Sequence, residues 1–330
     1  MSHISWFTPP HPSNQGYGIA AIETIKALQR NGLKVSWALD TAYVHINFCQ
    51  PQIYQGYKNQ YRIGYTPWES TGVPLSWRAP VKQMQEMWTT SRFCASVFEE
   101  EYLAENVKVF PHGIDPEIFK IVDRSLNDRF IFLHIGGPTG RKGGSLVAKA
   151  FIECFSKRDD VFLLMKSHGP SEARWIDENG YHGNISNHPR VQVIETNLEV
   201  DDMMKLYEVA HCCVYPTSGE GFGFIPFQAI ATGLPTITTN LTATAEFAYL
   251  SIPLDATWTD GDGVHEGMWA LPNYDDLCHQ MLRVVDEWEN EKIKAVQSAH
   301  IIHSTQTWDH VAQKIIADLG DKVNVEIEPE

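Results

Sequence analysis

Residues 218–235 read SGEGFGFIPFQAIATGLP. An acid stands among glycines, and a proline then opens an alanine-rich segment, FQAIATG, which stops at Gly233 ahead of Pro235. Proline at a helix start and glycine just past its end punctuate a short helix. Immediately upstream, HCCVYPT (residues 211–217) is a short apolar run of the kind that forms a buried strand. The order is strand, glycine-rich loop, helix N-terminus. Such an order suits an anion, because first-turn N–H groups and the helix dipole point into the loop.

The same alternation extends to both sides. Upstream, HISWF, KVSWAL, AYVHINF, RIGYTP and MWTTS read as strands. Between them, IAAIETIKALQRNG, PVKQMQEM and RFCASVFEEEYLA carry apolar positions at helical spacing, and KVFPHGIDPEIF reads as a strand leaving this group. A second series begins at RFIFLHIG, passes the loop GPTGRKGG into helix SLVAKAFIECFSK, and adds strands DVFLLMKSHG, VQVIET and PTITTN with helix DDMMKLYEVA. Asp275 to about Leu319 is mostly helical, with a break near Ser304–Thr305. Strands alternating with helices predict an α/β protein with parallel sheets covered on both faces. A chain of 330 residues suggests two such domains, with the boundary in IDPEIFKIVDRSLND, near residues 115–125.

Composition narrows the function classes. The formal charge is −15, yet residues 1–120 carry ten basic and ten acidic side chains, so the remainder holds the whole excess. An acidic total argues against non-specific nucleic-acid binding. No apolar run of 18 residues appears, so no membrane span is expected. The opening MSHISWFTPPHPSNQGYG has no basic segment followed by an apolar core, so no secretory signal is expected. Cys49, Cys94, Cys154, Cys212, Cys213 and Cys278 lack CxxC spacing and read as reduced thiols of a cytoplasmic protein rather than a zinc site.

With these elements in order, the chain resembles the retaining glycosyltransferases of the GT-B fold that use nucleotide-diphosphate sugars, the group 1 or family 4 type. PHGIDPEIF is similar to the family's entry into its second domain, GRKGG to its basic phosphate-binding turn, and TWDHVA to the opening of its last helix. EGFGFIPFQAIATGLP resembles its E-x(7)-E signature, with Glu220 in the first place and Gln228 in the second. The resemblance implies two Rossmann-like domains facing a central cleft. Residues 1–120, joined by a closing helix at 305–330, would form the acceptor side, and residues 121–304 would bind the donor. Two further departures stand out. Gly137 occupies the place of the family's arginine before the phosphate-binding lysine, and YTPWEST has Glu69 where many members carry a histidine.

The resemblance implies roles for individual residues. Glu220 would contact the hydroxyls of the donor sugar. The N–H groups of Gly221, Phe222 and Gly223 would line the same site, and those of Phe224 and Ile225 would face the phosphates. Gln228 would meet the ribose, where an amide can still donate and accept. Arg141 and Lys142, on a turn made flexible by Gly140, Gly143 and Gly144, could converge on one diphosphate. Lys166, ending the apolar run LLMK, is a third phosphate candidate, and Gly16 and Gly18 of NQGYG would close over the transferred sugar. Glu69 and His112 join Glu220 as candidate catalytic residues. Each has a plainer reading: solvated loop acids, a surface turn, an ordinary tight turn, a histidine filling the linker. The Asp-Gly-Asp of residues 260–262 mimics a metal-binding D-x-D but lies in a commonplace turn, so no metal is expected.

The expected reaction is therefore metal-independent, retaining sugar transfer from a UDP- or GDP-linked donor to a hydroxyl of a glycan or lipid-linked glycan. No other cofactor is expected. A modified DNA base such as a hydroxymethylpyrimidine is the alternative acceptor, since the first part is charge-neutral and rich in aromatics. A nucleotide-sugar-binding protein without catalysis, or an epimerase, are the alternatives from other classes.

Overall fold

The computed structural model describes residues 2–10, 16–37, 41–100, 107–126, 128–137, 140–167, 174–176 and 182–325. The chain divides into two compact units. The first comprises Met1–Asp115, Asp260–Met268 and Thr305–Glu330, the second Pro116–Thr259 and Trp269–Ser304. The excursion of residues 260–268 into the first unit has no counterpart in the sequence expectation of a continuous 121–304 domain.

The first unit holds strands β1 (His3–Phe7), β2 (Lys34–Ser36), β3 (Val44–Phe48), β4 (Tyr61–Tyr65), β5 (Glu86–Thr89) and β6 (Val107–Val109). They form one sheet in the order β2-β1-β3-β4-β5-β6, with every pair parallel. Its helices are α1 (Gly16–Arg30), α2 (Arg78–Lys82) and α3 (Arg92–Glu100), with the C-terminal α9 described below. Ile4, Trp6, Ile46, Phe48, Ile63, Tyr65 and Trp88 are buried and share one face by register, and Ser5, His45 and Asn47 on the opposite face are buried too, so both faces of the sheet are covered. Fully burying each of the apolar side chains is worth roughly 1.5–3 kcal/mol, which sets the register.

Two local expectations are corrected here. The helical pattern of PVKQMQEM stops at Lys82, because Glu86 and Met87 are drawn into β5, where both are buried. The G-x-G of NQGYG lies within the first turn of α1 rather than in a loop before it, and residues 11–15 fall outside the described residues.

The second unit holds β7 (Phe130–Ile135), β8 (Val161–Lys166), a short antiparallel pair β9 (Arg174–Ile176) and β10 (His182–Asn184), then β11 (Val191–Ile194), β12 (Cys212–Tyr215), β13 (Thr236–Thr239) and β14 (Ile252–Leu254). The main sheet runs β11-β8-β7-β12-β13-β14, all parallel. Numbered within this sheet, that is 3-2-1-4-5-6, the Rossmann order, which reverses between β7 and β12. Helices α4 (Gly144–Phe155), α5 (Val200–Val209) and α6 (Phe224–Ala231) alternate with these strands. A ribbon of β15 (Ala256–Asp260) and β16 (Met268–Pro272) precedes α7 (Tyr274–Asp286), α8 (Trp288–Thr305) and α9 (Trp308–Leu319). Phe132, Phe151, Phe155, Leu163 and Val214 centre the core on one face of the sheet, and Leu133, Tyr207, Cys213 and Ala229 on the other.

Helix α9 returns to the first unit, where Arg30 of α1 pairs with Asp309 at 3.0 Å. Thr307 caps it, accepting from the His310 N–H, so the helical break falls at 306–307 rather than at Ser304–Thr305. Gly113 of PHGID abuts this cap: a Cβ there would lie 2.4 Å from the Trp308 nitrogen. Among the described residues no helix is long and apolar enough to cross a membrane.

Candidate active site at the strand reversal of the second unit

In an open parallel sheet, ligands bind outside the carboxyl ends of the strands where the order reverses. Here that place lies between the ends of β7 and β12. The loop after β7 carries Arg141 and Lys142, and the loop after β12 carries Glu220, so the sheet brings together residues nearly 80 positions apart in sequence. Glu220 is buried, 7% exposed. Its Oε1 accepts from the Tyr215 hydroxyl at 2.8 Å and the Thr217 hydroxyl at 3.2 Å, takes the Lys142 ammonium, and lies 3.5 Å from Nη1 of Arg141. Among the described residues none bonds Oε2. Burial by itself would push this carboxyl up. The charges of Lys142 and Arg141, with hydrogen bonds from Lys142 and Tyr215, outweigh it and hold Glu220 below its ordinary value. The acid is ionised at neutral pH although buried.

The two loops are stitched by backbone as well. Ser218 N–H donates to the Arg141 carbonyl at 2.7 Å, and the Arg141 guanidinium donates to the Gly219 carbonyl. Lys142 also lies over the Tyr215 ring, 5.6 Å from its centre. Gly143 has φ 75, and a Cβ there would lie 2.3 Å from the Pro216 carbonyl oxygen, so only glycine fits. Under the turn, His134 is buried and pushed down to about 4, by burial first and by Lys142 in addition, against a hydrogen bond to Val214 that favours its charge. Its Nδ1 donates to the Val214 carbonyl at 2.9 Å, which leaves Nε2 as the lone-pair nitrogen.

Helix α6 begins at Phe224, two residues ahead of the expected proline start. Gly223 is its N-cap with φ 98 and no side-chain cap, and Pro226, lacking an N–H, sits in the first turn. Phe224 and Ile225 therefore present the first-turn N–H groups, which have no acceptor within the helix. Gln228, one helical turn on, is 7% exposed, and its Oε1 accepts from the Tyr207 hydroxyl at 3.1 Å. Lys166 is 2% exposed at the end of β8, and its ammonium donates to the Ser167 carbonyl at 2.9 Å. Burial lowers its basicity.

The remaining candidates lie in the first unit. Glu69 is half-buried in the loop after β4, whose conformation is set by Trp68 Nε1 donating to the Gly72 carbonyl at 2.6 Å. Tyr17, between Gly16 and Gly18, hydrogen-bonds Thr66 Oγ1 at 2.9 Å; burial first, and Glu69 among lesser charges, pushes its hydroxyl up. His112 is buried between Phe48 and Trp308, ring centres 6.1 and 5.9 Å away, and burial pushes it down to about 3. It is a neutral imidazole at any physiological pH. Asp262 of the Asp-Gly-Asp turn accepts the N–H groups of Val264 and His265 at 3.0 and 2.9 Å, which makes it a turn residue.

Tyr215, Thr217, His134 and Thr242 were not singled out in the sequence. Tyr215 reads there only as the end of an apolar strand. Thr242 opens the 3-10 helix Thr242–Leu250 after β13 with φ 57, the one positive φ outside glycine among the described residues. A left-handed conformation costs a β-branched residue on the order of 1–3 kcal/mol.

Residues 129–254 match the family model described as Glycosyl transferases group 1. The matched segment is similar to the group 1 glycosyl transferases. It contains Arg141, Lys142, Glu220 and the start of α6, all the residues gathered at the strand reversal. The capsular polysaccharide biosynthesis glycosyltransferase CapM of Staphylococcus aureus is 33% identical over 117 residues, 36% of this chain and 30% of CapM. An uncharacterised glycosyltransferase of Methanocaldococcus jannaschii is 21% identical over 226 residues, 64% of this chain and 53% of its own. The chain thus spans about a third to a half of the curated relatives it matches. Among solved structures, HepE of Anabaena in complex with UDP and glucose superposes with a TM-score of 0.68 at 12% identity, covering 97% of this chain and 99% of HepE. The fold is GT-B.

Proposed function

We propose that this protein is a glycosyl transferase that moves a sugar from a nucleotide-diphosphate donor, UDP- or GDP-linked, to a hydroxyl acceptor with retention of configuration. The observation that carries the reading is the convergence of Lys142, Arg141 and the start of α6 on one ionised acid, Glu220, at the strand reversal. Two cations and a helix N-terminus suit a diphosphate. A buried carboxylate with one oxygen turned away from its protein partners suits a sugar hydroxyl. HepE, of the same fold, holds UDP and glucose at 12% identity, which favours a UDP-linked donor. CapM, named for capsular polysaccharide biosynthesis, favours a glycan or lipid-linked glycan acceptor.

In this reading Arg141, Lys142 and the N–H groups of Phe224 and Ile225 hold the diphosphate and neutralise the charge that develops as it departs, so no metal is required. Glu220 orients the sugar, Gly221 to Gly223 allow close backbone approach, and Gln228 and Lys166 contact the rest of the donor. The acceptor oxygen bonds to the anomeric carbon as the bond from that carbon to the phosphate oxygen breaks. The acceptor proton passes to the departing phosphate, giving a nucleoside diphosphate and a glycoside. Glu69 and Tyr17, joined through the first unit's own loops, are assigned to the acceptor, while Gly16 and Gly18 stay assigned to the donor sugar. His112 contributes as a neutral group.

Thermal unfolding against UDP, GDP, ADP and TDP, each with a sugar conjugate, tests the reading. A ligand at about 100 times its dissociation constant adds nearly 3 kcal/mol, a clear shift. A shift with one nucleotide identifies the donor and directs the acceptor search to glycans first and modified DNA second. Binding without transfer to any acceptor returns the protein to the binding-module class, and isomerisation of the donor alone returns it to the epimerases. No shift with any nucleotide sinks the proposal.

A further inference from the structure

Glu220 is held from two directions. Its side chain is fixed through Oε1 by Tyr215, Thr217 and Lys142. Its backbone is fixed separately by the segment after β13. The Glu220 N–H donates to Thr242 Oγ1 at 3.3 Å, and the Ala243 N–H donates back to the Glu220 carbonyl at 3.3 Å. Thr242 makes its half of this exchange from a left-handed backbone, φ 57, that glycine or asparagine would adopt with less strain. Neither could place a hydroxyl there. The chain on both sides of Thr242 is held by hydrogen bonds. Thr244 Oγ1 donates to the carbonyls of Thr239 and Leu241 at 2.7 and 2.9 Å, and Thr239 Oγ1 donates to the Thr217 carbonyl at 2.8 Å. A threonine relay thus runs from the Glu220 loop to the strand end beside it and back. The same segment limits the helix start, since a Cβ on Gly223 would lie 2.9 Å from Thr244 Cγ2.

We propose that Thr242 is a positioning residue. Its strained backbone aims the hydroxyl at the Glu220 amide, and with Ala243 it fixes the acid's backbone so that Oε2 stays on the reacting sugar. The proposal rests on the transferase reading above. Strain of this kind persists where the surrounding structure over-determines it, and it accumulates where geometry matters to function. A glycine at 242 would relax the segment and lose the clamp, so stability and catalysis should separate.

The test compares Thr242→Gly, Thr242→Val and Thr242→Ser with wild type by melting temperature, by hydrogen exchange of residues 217–224, and by kcat and KM for nucleotide-sugar turnover. Thr242→Gly should melt within about 4 °C of wild type, because relief of strain offsets the lost hydrogen bond and the added freedom of the unfolded chain. Its exchange at 217–224 should quicken about tenfold or more, the ratio expected when a local hydrogen bond is removed. Its kcat should fall about tenfold to a hundredfold with KM little changed, the size expected of a displacement of about 1 Å at a reacting group. Thr242→Val, which keeps the shape but not the acceptor, should show the same kcat loss, and Thr242→Ser should restore both exchange and kcat. Unchanged exchange and kcat in Thr242→Gly would overturn the proposal, and so would a rise in KM that accounts for the whole loss. If Thr242→Val fails to fold, Thr242→Gly alone decides. If wild type turns over no nucleotide sugar, the transferase reading fails, while the exchange measurement still decides whether Thr242 clamps Glu220.

Discussion

Glu86 in the first unit and Glu220 in the second are both buried carboxylates that hold a lysine, and in both, lysine and hydrogen bonds overcome the burial that would otherwise raise them. Their surroundings differ oxygen by oxygen. Glu86 Oε1 accepts from the Tyr61 hydroxyl at 2.7 Å and from Lys108 at 2.9 Å, while Oε2 accepts from Trp88 Nε1 at 2.9 Å. Lys108 in turn reaches Asp318 of α9 at 2.9 Å. Every strong group in that cluster is used, and it ties the last helix to the sheet. Glu220 gathers its described partners on Oε1 alone, beside two cations at the carboxyl ends of the strands. Burial and ion pairing do not separate structure from function in this molecule. What separates them is whether the partners use up the carboxylate, and where in the sheet it stands.

That contrast can be broken by exchanging charge for shape. Glu220→Gln should lower kcat for nucleotide-sugar turnover about 10²- to 10³-fold, as expected when one preorganised polar group leaves a reacting centre; Glu86→Gln, assayed alongside, should leave kcat unchanged, and an equal loss in both would erase the distinction. Lys142→Met should weaken nucleotide-diphosphate binding about ten- to a hundredfold, read by titration calorimetry, as one charge-assisted contact is lost. Its counterpart Lys108→Met should leave that binding intact and instead cost about 1.5–3 kcal/mol in denaturant unfolding, because the buried Glu86 loses a charge-assisted bond from this half-buried lysine. The smallest effect is in pH. Glu86 is held below its ordinary value of 4.5, so its contribution is complete above that value and is lost as pH falls through the lower folded value. Melting temperatures from pH 7 to about pH 3.5 should fall less steeply in Glu86→Gln than in wild type, with the sign reversed only if Glu86 were protonated in the fold.

Much of the second unit was legible because its signals are local. HCCVYPT, FQAIATG and RFIFLHIG need no distant partner to declare their periodicity, and β12, α6 and β7 lie on them. PVKQMQEM differs for the converse reason: its spacing is helical, but Glu86 is held by Tyr61 and Lys108, 25 and 22 positions away in sequence. The start of α6 lies two residues ahead of Pro226 because Gly223, with φ 98, is its N-cap.

The site divides along the same line. Glycines, an acid and adjacent cations at strand ends are sequence facts, and they were enough to nominate Glu220, Arg141 and Lys142. That the cations meet the acid, that Tyr215 and Thr217 take up one oxygen, and that Thr242 bends its backbone to hold the acid's amide are contacts across 78, 5, 3 and 22 positions. The elements, their alternation and the chemistry available at each strand end depend on neighbouring residues and on burial periodicity, so they can be read along the chain. Which of those groups share an atom depends instead on the order in which strands pair, because its reversal between β7 and β12 places two distant loops side by side.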